Sequence, residues 1–203
     1  MKIVIVDYGM GNIRSIVGAL KYIGVKEILV SSNYDEIRNS DKLILPGVGS
    51  FGKAMHQIRS KNLDTYLQEV VLQEKKPILG ICLGMQLLGM SSTEDGDNEG
   101  LKFINGEVKK FENMGLKVPH VGLNQVKISG NGILYSDLPA LADFYFTHSF
   151  KMESLYEINQ SMCSYGGDFI ASFEFENIAG VQFHPELSQG NGLKLLKNYI
   201  EKF

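Results

Sequence analysis

Gly80-Ile81-Cys82-Leu83-Gly84 sets a thiol between two glycines where the apolar run PILGI (77–81) meets the helical pattern Leu83–Met90. This is the G-x-nucleophile-x-G spacing of a nucleophile elbow, with cysteine in place of serine. A sharp strand-to-helix turn pushes the nucleophile out of the backbone, and flanking glycines remove side chains that would crowd it. The positive N-terminal end of the following helix favours thiolate over thiol, and its free amides suit an oxyanion. The plain alternative is that Cys82 is a small buried hydrophobe. A base decides between them.

Gln182-Phe183-His184-Pro185-Glu186 supplies the strongest candidate. It follows the apolar run IAGVQF, so His184 would stand at the end of a strand, where ligands gather in open α/β sheets. Pro185 biases His184 toward extended backbone, in which side chains two apart share a face. Glu186 can then hold one imidazole nitrogen while the other accepts the thiol proton. His56 falls on a surface-like helical stretch. His120 and His148 lie in or beside later strands, as core residues or as site walls. None of these three has a carboxylate two positions away. No pair of histidines or cysteines has zinc spacing, so no metal and no cofactor is expected. Cys163, without an elbow, reads as structural or incidental.

Gly47-Val48-Gly49-Ser50-Phe51-Gly52 matches G-x-G-x-x-G, but the dinucleotide fingerprint belongs on the first strand of its unit. That strand leads instead into Asp7-Tyr8-Gly9-Met10-Gly11-Asn12, which lacks the third glycine. Free amides beside the nucleophile's strand suit an oxyanion donor better, with a tight structural turn as the bland alternative.

The elements that must position these residues alternate. KIVIVD (2–7), KEILV (26–30), KLILP (42–46) and PILGI read as buried strands. Helical patterns fill 11–24 and 52–74, the second broken near 60–62, and a polar, helix-compatible stretch lies between the second and third strands. This argues for a parallel sheet covered on both faces. After Gly100 the pieces GEVKKF, NQVKI, DFYFTHSF, FIASFEF and IAGVQF read as short strands with turns between them, so antiparallel additions are expected. Residues 91–100 read as a loop, and 190–203 close the chain as an amphipathic helix. The 203 residues suit one α/β domain, 1–203, with an open, mostly parallel central sheet and antiparallel strands in its second half. Net charge is −3, which offers no basic field for nucleic acid. No apolar run approaches the roughly 18 residues that span a bilayer, and no export signal opens the chain. A cytosolic protein with reduced thiols is expected.

GICLGMQLL around Cys82 and GVQFHPE at 180–186 resemble the class I (triad) glutamine amidotransferases, whose fold is flavodoxin-like. DYGMGNIRS, LPGVGSFG, VPHVGLNQV and YFTHSF narrow the resemblance to the branch of glutaminase subunits that serve imidazole glycerol phosphate synthases in histidine biosynthesis. It covers essentially the whole chain. The resemblance implies that Cys82 attacks the side-chain amide of glutamine, His184 shuttles the proton and Glu186 orients His184. It implies backbone amides of Gly49 and Leu83 for the oxyanion, and Gln86, Ser149 and Phe150 around the substrate. It also implies a heterodimer with a (β/α)8-barrel cyclase subunit that receives the ammonia. Leu123 and Leu187 stand where this branch commonly has tryptophan and lysine, on the face that meets the partner. A paralogous amidotransferase for amidino sugars of bacterial surface polysaccharides is the second expectation, and a stand-alone cysteine hydrolase the third.

Overall fold

A computed structural model describes residues 1–111, 115–129 and 132–203. The first half runs β1 (Lys2–Val6), α1 (Ile13–Tyr22), β2 (Glu27–Ser31), α2 (Tyr34–Arg38), β3 (Lys42–Leu45), α3 (Phe51–Ser60), α4 (Leu63–Leu67), a π-helical segment (Gln68–Gln73), β4 (Ile78–Ile81) and α5 (Leu83–Leu87). There follow the short strands β5 (Ser91–Ser92) and β6 (Asn98–Glu99), then β7 (Glu107–Lys110), β8 (His120–Lys127), β9 (Leu141–His148), β10 (Phe150–Glu153), β11 (Ser161–Ser164), β12 (Asp168–Phe175) and β13 (Ile178–Val181). A 3-10 turn (Pro185–Leu187) and α6 (Gln189–Lys202) end the chain.

Nine strands form one sheet in the order β2-β1-β3-β4-β13-β12-β11-β8-β9. The pairs from β2 to β13 are parallel and those from β13 to β9 antiparallel. The expected parallel core with antiparallel additions is therefore present. A second sheet, β10-β7-β5-β6, lies beside it. Strands β1, β3 and β4 read as unbroken apolar runs because both of their faces are covered. Val4, Val6, Leu43 and Leu45 pack with Phe51, Met55 and Ile58 of α3, while Ile3, Ile5, Ile44 and Leu79 pack with Ile16 and Leu20 of α1 and Leu195 and Leu196 of α6.

Two segments differ from the sequence reading. The stretch 91–100 is not wholly loop, since β5 pairs with both β6 and β7. Ser161–Ser164 forms a strand between β12 and β8, although its two apolar residues, Met162 and Cys163, are too short a run to announce it. The break expected near 60–62 is real, with Asn62 in left-handed backbone at φ 56°.

Lys42 is buried at the start of β3, where its ammonium donates to the Tyr199 and Ile200 carbonyls at 2.8 and 2.9 Å and reaches the Phe203 carbonyl at 3.4 Å. It is a cation at the carbonyl end of α6, the favourable sign for the helix dipole. Burial lowers its pKa, and Asp41 opposes that shift. Lys42→Met should leave these carbonyls short of a donor and cost about 2 kcal/mol of stability. A urea midpoint equal to wild type would refute this.

Candidate active site

The parallel register decides what can meet. Leu45 of β3 is paired with Gly80 of β4, and Ile81 of β4 with Val181 of β13. The segments that follow these strands therefore open together beyond the C-terminal ends of these interior strands: Gly47–Gly52 after β3, Cys82 after β4, and Gln182–His184 after β13. Cys82 takes φ 54° and ψ −111°, a conformation non-glycine residues rarely hold. Its N–H donates to the Val181 carbonyl at 2.8 Å, tying the elbow to β13. The glycines around it are required by close approach. A Cβ on Gly84 would overlap the Leu45 carbonyl, and one on Gly47 would sit 2.6 Å from the Gly84 nitrogen.

His184 is extended at φ −99° and ψ 97°, as a residue before proline should be. Its N–H donates to the Tyr145 carbonyl at 2.8 Å, and its carbonyl accepts from the Ser188 hydroxyl at 2.6 Å. Nδ1 donates to Glu186 Oε1 at 2.9 Å, and the Glu186 side chain has no solvent access. The route to this pair differs from the extended-chain expectation. Pro185 opens a 3-10 turn, so Glu186 meets the imidazole from within that turn rather than along a strand. Asn12, the N-cap residue of α1, makes no side-chain cap and instead donates from Nδ2 to Glu186 Oε1 at 3.2 Å. Burial pulls the His184 imidazolium down, but Cys82 and Glu186 together outweigh it and push the pKa up to about 10. His184 Nε2 is buried without a hydrogen bond.

Gly49, Cys82, Leu83, Gln86, Ser149, Phe150 and His184 all line one cavity of about 280 Å³, while Glu186 stands behind His184. Val48, Glu94, Pro119, Thr147 and His148 complete its wall. Glu94 carried no sequence signal, because it lies in a polar acidic stretch. Its carboxylate accepts the Phe51 N–H at 2.9 Å and so occupies the N-terminus of α3. A dinucleotide phosphate would need that same helix end, which argues against a nucleotide at the G-x-G-x-x-G loop.

His120 and His148 face each other across β8 and β9 at 3.0 Å, Nδ1 to Nε2. His148 Nδ1 lies 2.8 Å from the Phe150 carbonyl, which can only accept. His148 therefore donates from Nδ1 and accepts at Nε2, and His120 donates from Nδ1. Burial lowers the His120 pKa to about 4. Burial likewise brings His148 to about 3, with the Phe150 carbonyl opposing and His120 and His184 adding to the drop. His56 is exposed on α3, and Cys163 is a buried free thiol that burial pushes up to about 12. Among the described residues no group of three potential ligands could hold a metal ion.

A thiol on a strand-to-helix elbow, backed by a buried His–Glu pair in a cavity of metabolite size, is the arrangement of a cysteine-dependent acyl-transfer enzyme. The family model for class-I glutamine amidotransferases matches residues 4–203, and the chain belongs to that family. It is 45% identical over 199 residues to imidazole glycerol phosphate synthase subunit HisH 1 of Campylobacter jejuni (strain RM1221), covering 98% of both chains. It is 40% identical over 203 residues to subunit HisH of Aquifex aeolicus (strain VF5), covering 100% of this chain and 97% of that one. Among solved structures, a glutamine amidotransferase superposes with a TM-score of 0.75 at 18% identity, covering 98% and 97% of the two chains. PurLQS from Thermotoga maritima superposes with a TM-score of 0.74 at 16% identity and the same coverage.

The histidine pair sets an acid limit. Both are neutral in the fold yet titrate near 6.5 when unfolded, so the unfolded state binds more protons below that pH. Their stabilisation is full above pH 6.5 and is lost as pH falls toward about 4 and 3. His148 alone should cost about 2 kcal/mol between pH 7 and 5. Urea unfolding at both pH values, for wild type and His148→Asn, checks this. An equal loss in both proteins would assign the acid sensitivity elsewhere.

Proposed function

We propose that the chain is the glutaminase subunit of an imidazole glycerol phosphate synthase, hydrolysing glutamine to glutamate and passing the ammonia to a cyclase subunit of (β/α)8-barrel type in a cytosolic heterodimer. The observation that carries the chemistry is geometric: Cys82 on its elbow and His184 line one cavity, with His184 Nδ1 held 2.9 Å from the buried Glu186 Oε1. A His–Glu pair beside a thiol can take the thiol proton and return it to a leaving group. Near-full-length identity to the HisH relatives supports the acceptor.

The Cys82 sulfur attacks the side-chain carbonyl carbon of glutamine, and the carbonyl oxygen becomes an oxyanion. Backbone amides of Leu83, at the start of α5, and of Gly49 receive that charge. The first amides of a helix have no intrahelical acceptor, and Gly49 holds φ 102°. His184 gives its proton to the leaving nitrogen, the carbon–nitrogen bond breaks, and ammonia departs from a thioester. Water then attacks the thioester with His184 taking its proton. The carbon–sulfur bond breaks and glutamate is released. Gln86, Ser149 and Phe150 hold the substrate on the cavity wall. Cys82→Ala should lower glutamine-dependent synthesis by several orders of magnitude while synthesis from added ammonium continues. Retained glutaminase activity in the purified variant would remove Cys82 from this role.

The mouth of the cavity supports the partner's position. Val48 lines the cavity and is exposed, Val121 lies opposite the cavity residue Thr147, and Leu187 directly follows Glu186. Leu123, opposite Tyr145, is 56% exposed and Leu187 43%. Exposed apolar side chains grouped at a site opening suit burial against a second subunit. Leu123→Asp with Leu187→Asp should weaken the cyclase complex at least about tenfold, because a charge would be buried without a counter-charge. Glutamine turnover by the isolated chain should persist. Unchanged affinity in a titration of the two subunits would move the interface elsewhere.

A further inference from the structure

Gln182 follows β13 and is completely buried two residues before His184. A buried primary amide must direct its oxygen and its nitrogen to different partners, and here a backbone group decides which goes where. The Phe150 carbonyl can only accept. Gln86 Nε2 stands 2.9 Å from that carbonyl and 2.9 Å from Gln182 Oε1, so Gln86 turns its NH2 group toward both. Gln182 thereby commits its oxygen to Gln86. Its own NH2 group is left facing the Cys82 sulfur at 3.8 Å. Reversing Gln182 alone would set two amide nitrogens against each other, and reversing Gln86 with it would leave the Phe150 carbonyl without its Gln86 donor.

We propose that Gln182 is a further catalytic residue, whose side-chain amide donates a hydrogen bond to the Cys82 sulfur and stabilises its negative form, with Gln86 and the Phe150 carbonyl locking that amide in place. The proposal rests on Cys82 being the nucleophile. A donor on sulfur favours the charged over the neutral form before attack. It acts again in the second half-reaction, when the carbon–sulfur bond breaks and the sulfur takes the electron pair. The Thr147 carbonyl, 3.9 Å from the sulfur, can accept the proton of a neutral thiol but cannot stabilise a thiolate. Gln182 and His184 therefore bring the sulfur two different kinds of help: a fixed neutral donor and a mobile proton. Because Gln86 also lines the cavity, one amide chain joins the substrate wall to the nucleophile.

Gln182→Met keeps an unbranched buried side chain and removes the donor. The ultraviolet absorbance of the thiolate is followed as pH rises, with Cys82→Ala subtracted. Cys163 remains silent because burial holds its pKa near 12. Thermal unfolding verifies that the variant is folded. The midpoint of thiolate formation should move up by about one pH unit, and kcat should fall roughly tenfold or more with a smaller change in KM, as for loss of one hydrogen bond to a charged group. If Gln182→Met does not fold, Gln182→Asn serves, since it keeps a buried amide that ends one methylene short of the sulfur. A folded variant with an unmoved midpoint overturns the proposal, even if kcat falls, because that result describes packing alone. A Cys82→Ala protein that still turns over glutamine overturns instead the nucleophile assignment beneath it.

Discussion

The site depends on one backbone constraint, the positive-φ conformation of Cys82 between β4 and α5. Holding a side-chain-bearing residue there costs on the order of 1–3 kcal/mol, so surrounding contacts must over-determine it. The Cys82 N–H on the Val181 carbonyl fixes one side of the elbow. On the other side α5 lies so close to β3 that the Leu45 carbonyl occupies the space of a Cβ on Gly84. The glycines of G-x-C-x-G and of the loop after β3 are thus parts of one packing solution. The elbow can be sharp only because β3 and the first turn of α5 meet backbone to backbone. The same closeness brings Gly47 against Leu83, and Gly49 and Leu83 line the same cavity.

A second layer follows from the first. With Cys82 held in place, the groups around its sulfur are oriented through chains of hydrogen bonds, several of which end on backbone carbonyls. The Phe150 carbonyl takes Gln86 Nε2 and His148 Nδ1 together, and the Tyr145 carbonyl takes the His184 N–H. Carbonyls in β-structure do not reorient, so they transmit the rigidity of the sheet to the amides and imidazoles that surround the cavity. Asn12 extends this economy to the carboxylate, since its side chain leaves the end of α1 uncapped and holds Glu186 instead. Forgoing a side-chain cap costs a helix about 1 kcal/mol.

Much of this was legible in the sequence because it follows from local rules. Unbroken apolar runs marked the strands buried on both faces, and glycine spacing marked the elbow. The H-P-E segment placed the imidazole and carboxylate together, although through a 3-10 turn rather than extended chain. What was not legible depends on register between distant segments. Glu94 reaches α3 across 43 positions, Asn12 reaches Glu186 across 174, and Gln86 meets Gln182 across 96. Each is a polar residue in an unremarkable context until folding supplies its partner. The second sheet escaped for a related reason, since Ser91–Ser92 and Asn98–Glu99 are too short and too polar for any period to show.

The histidines show how finely the fold controls charge at one site. His148 and His184 are both buried at the same cavity, and burial by itself disfavours the imidazolium in each. Their outcomes are opposite because their partners differ. His184 has a carboxylate on Nδ1 and a thiol near its other nitrogen, both able to carry negative charge. His148 has a carbonyl dipole on Nδ1 and a neutral imidazole on Nε2, neither of which offsets the loss of solvation. A charged His184 also repels a proton from His148, so the two states reinforce each other. Had both been protonated, the cavity would hold two cations beside one sulfur. Keeping His148 neutral leaves His184 as the imidazole that carries a proton at this cavity wall.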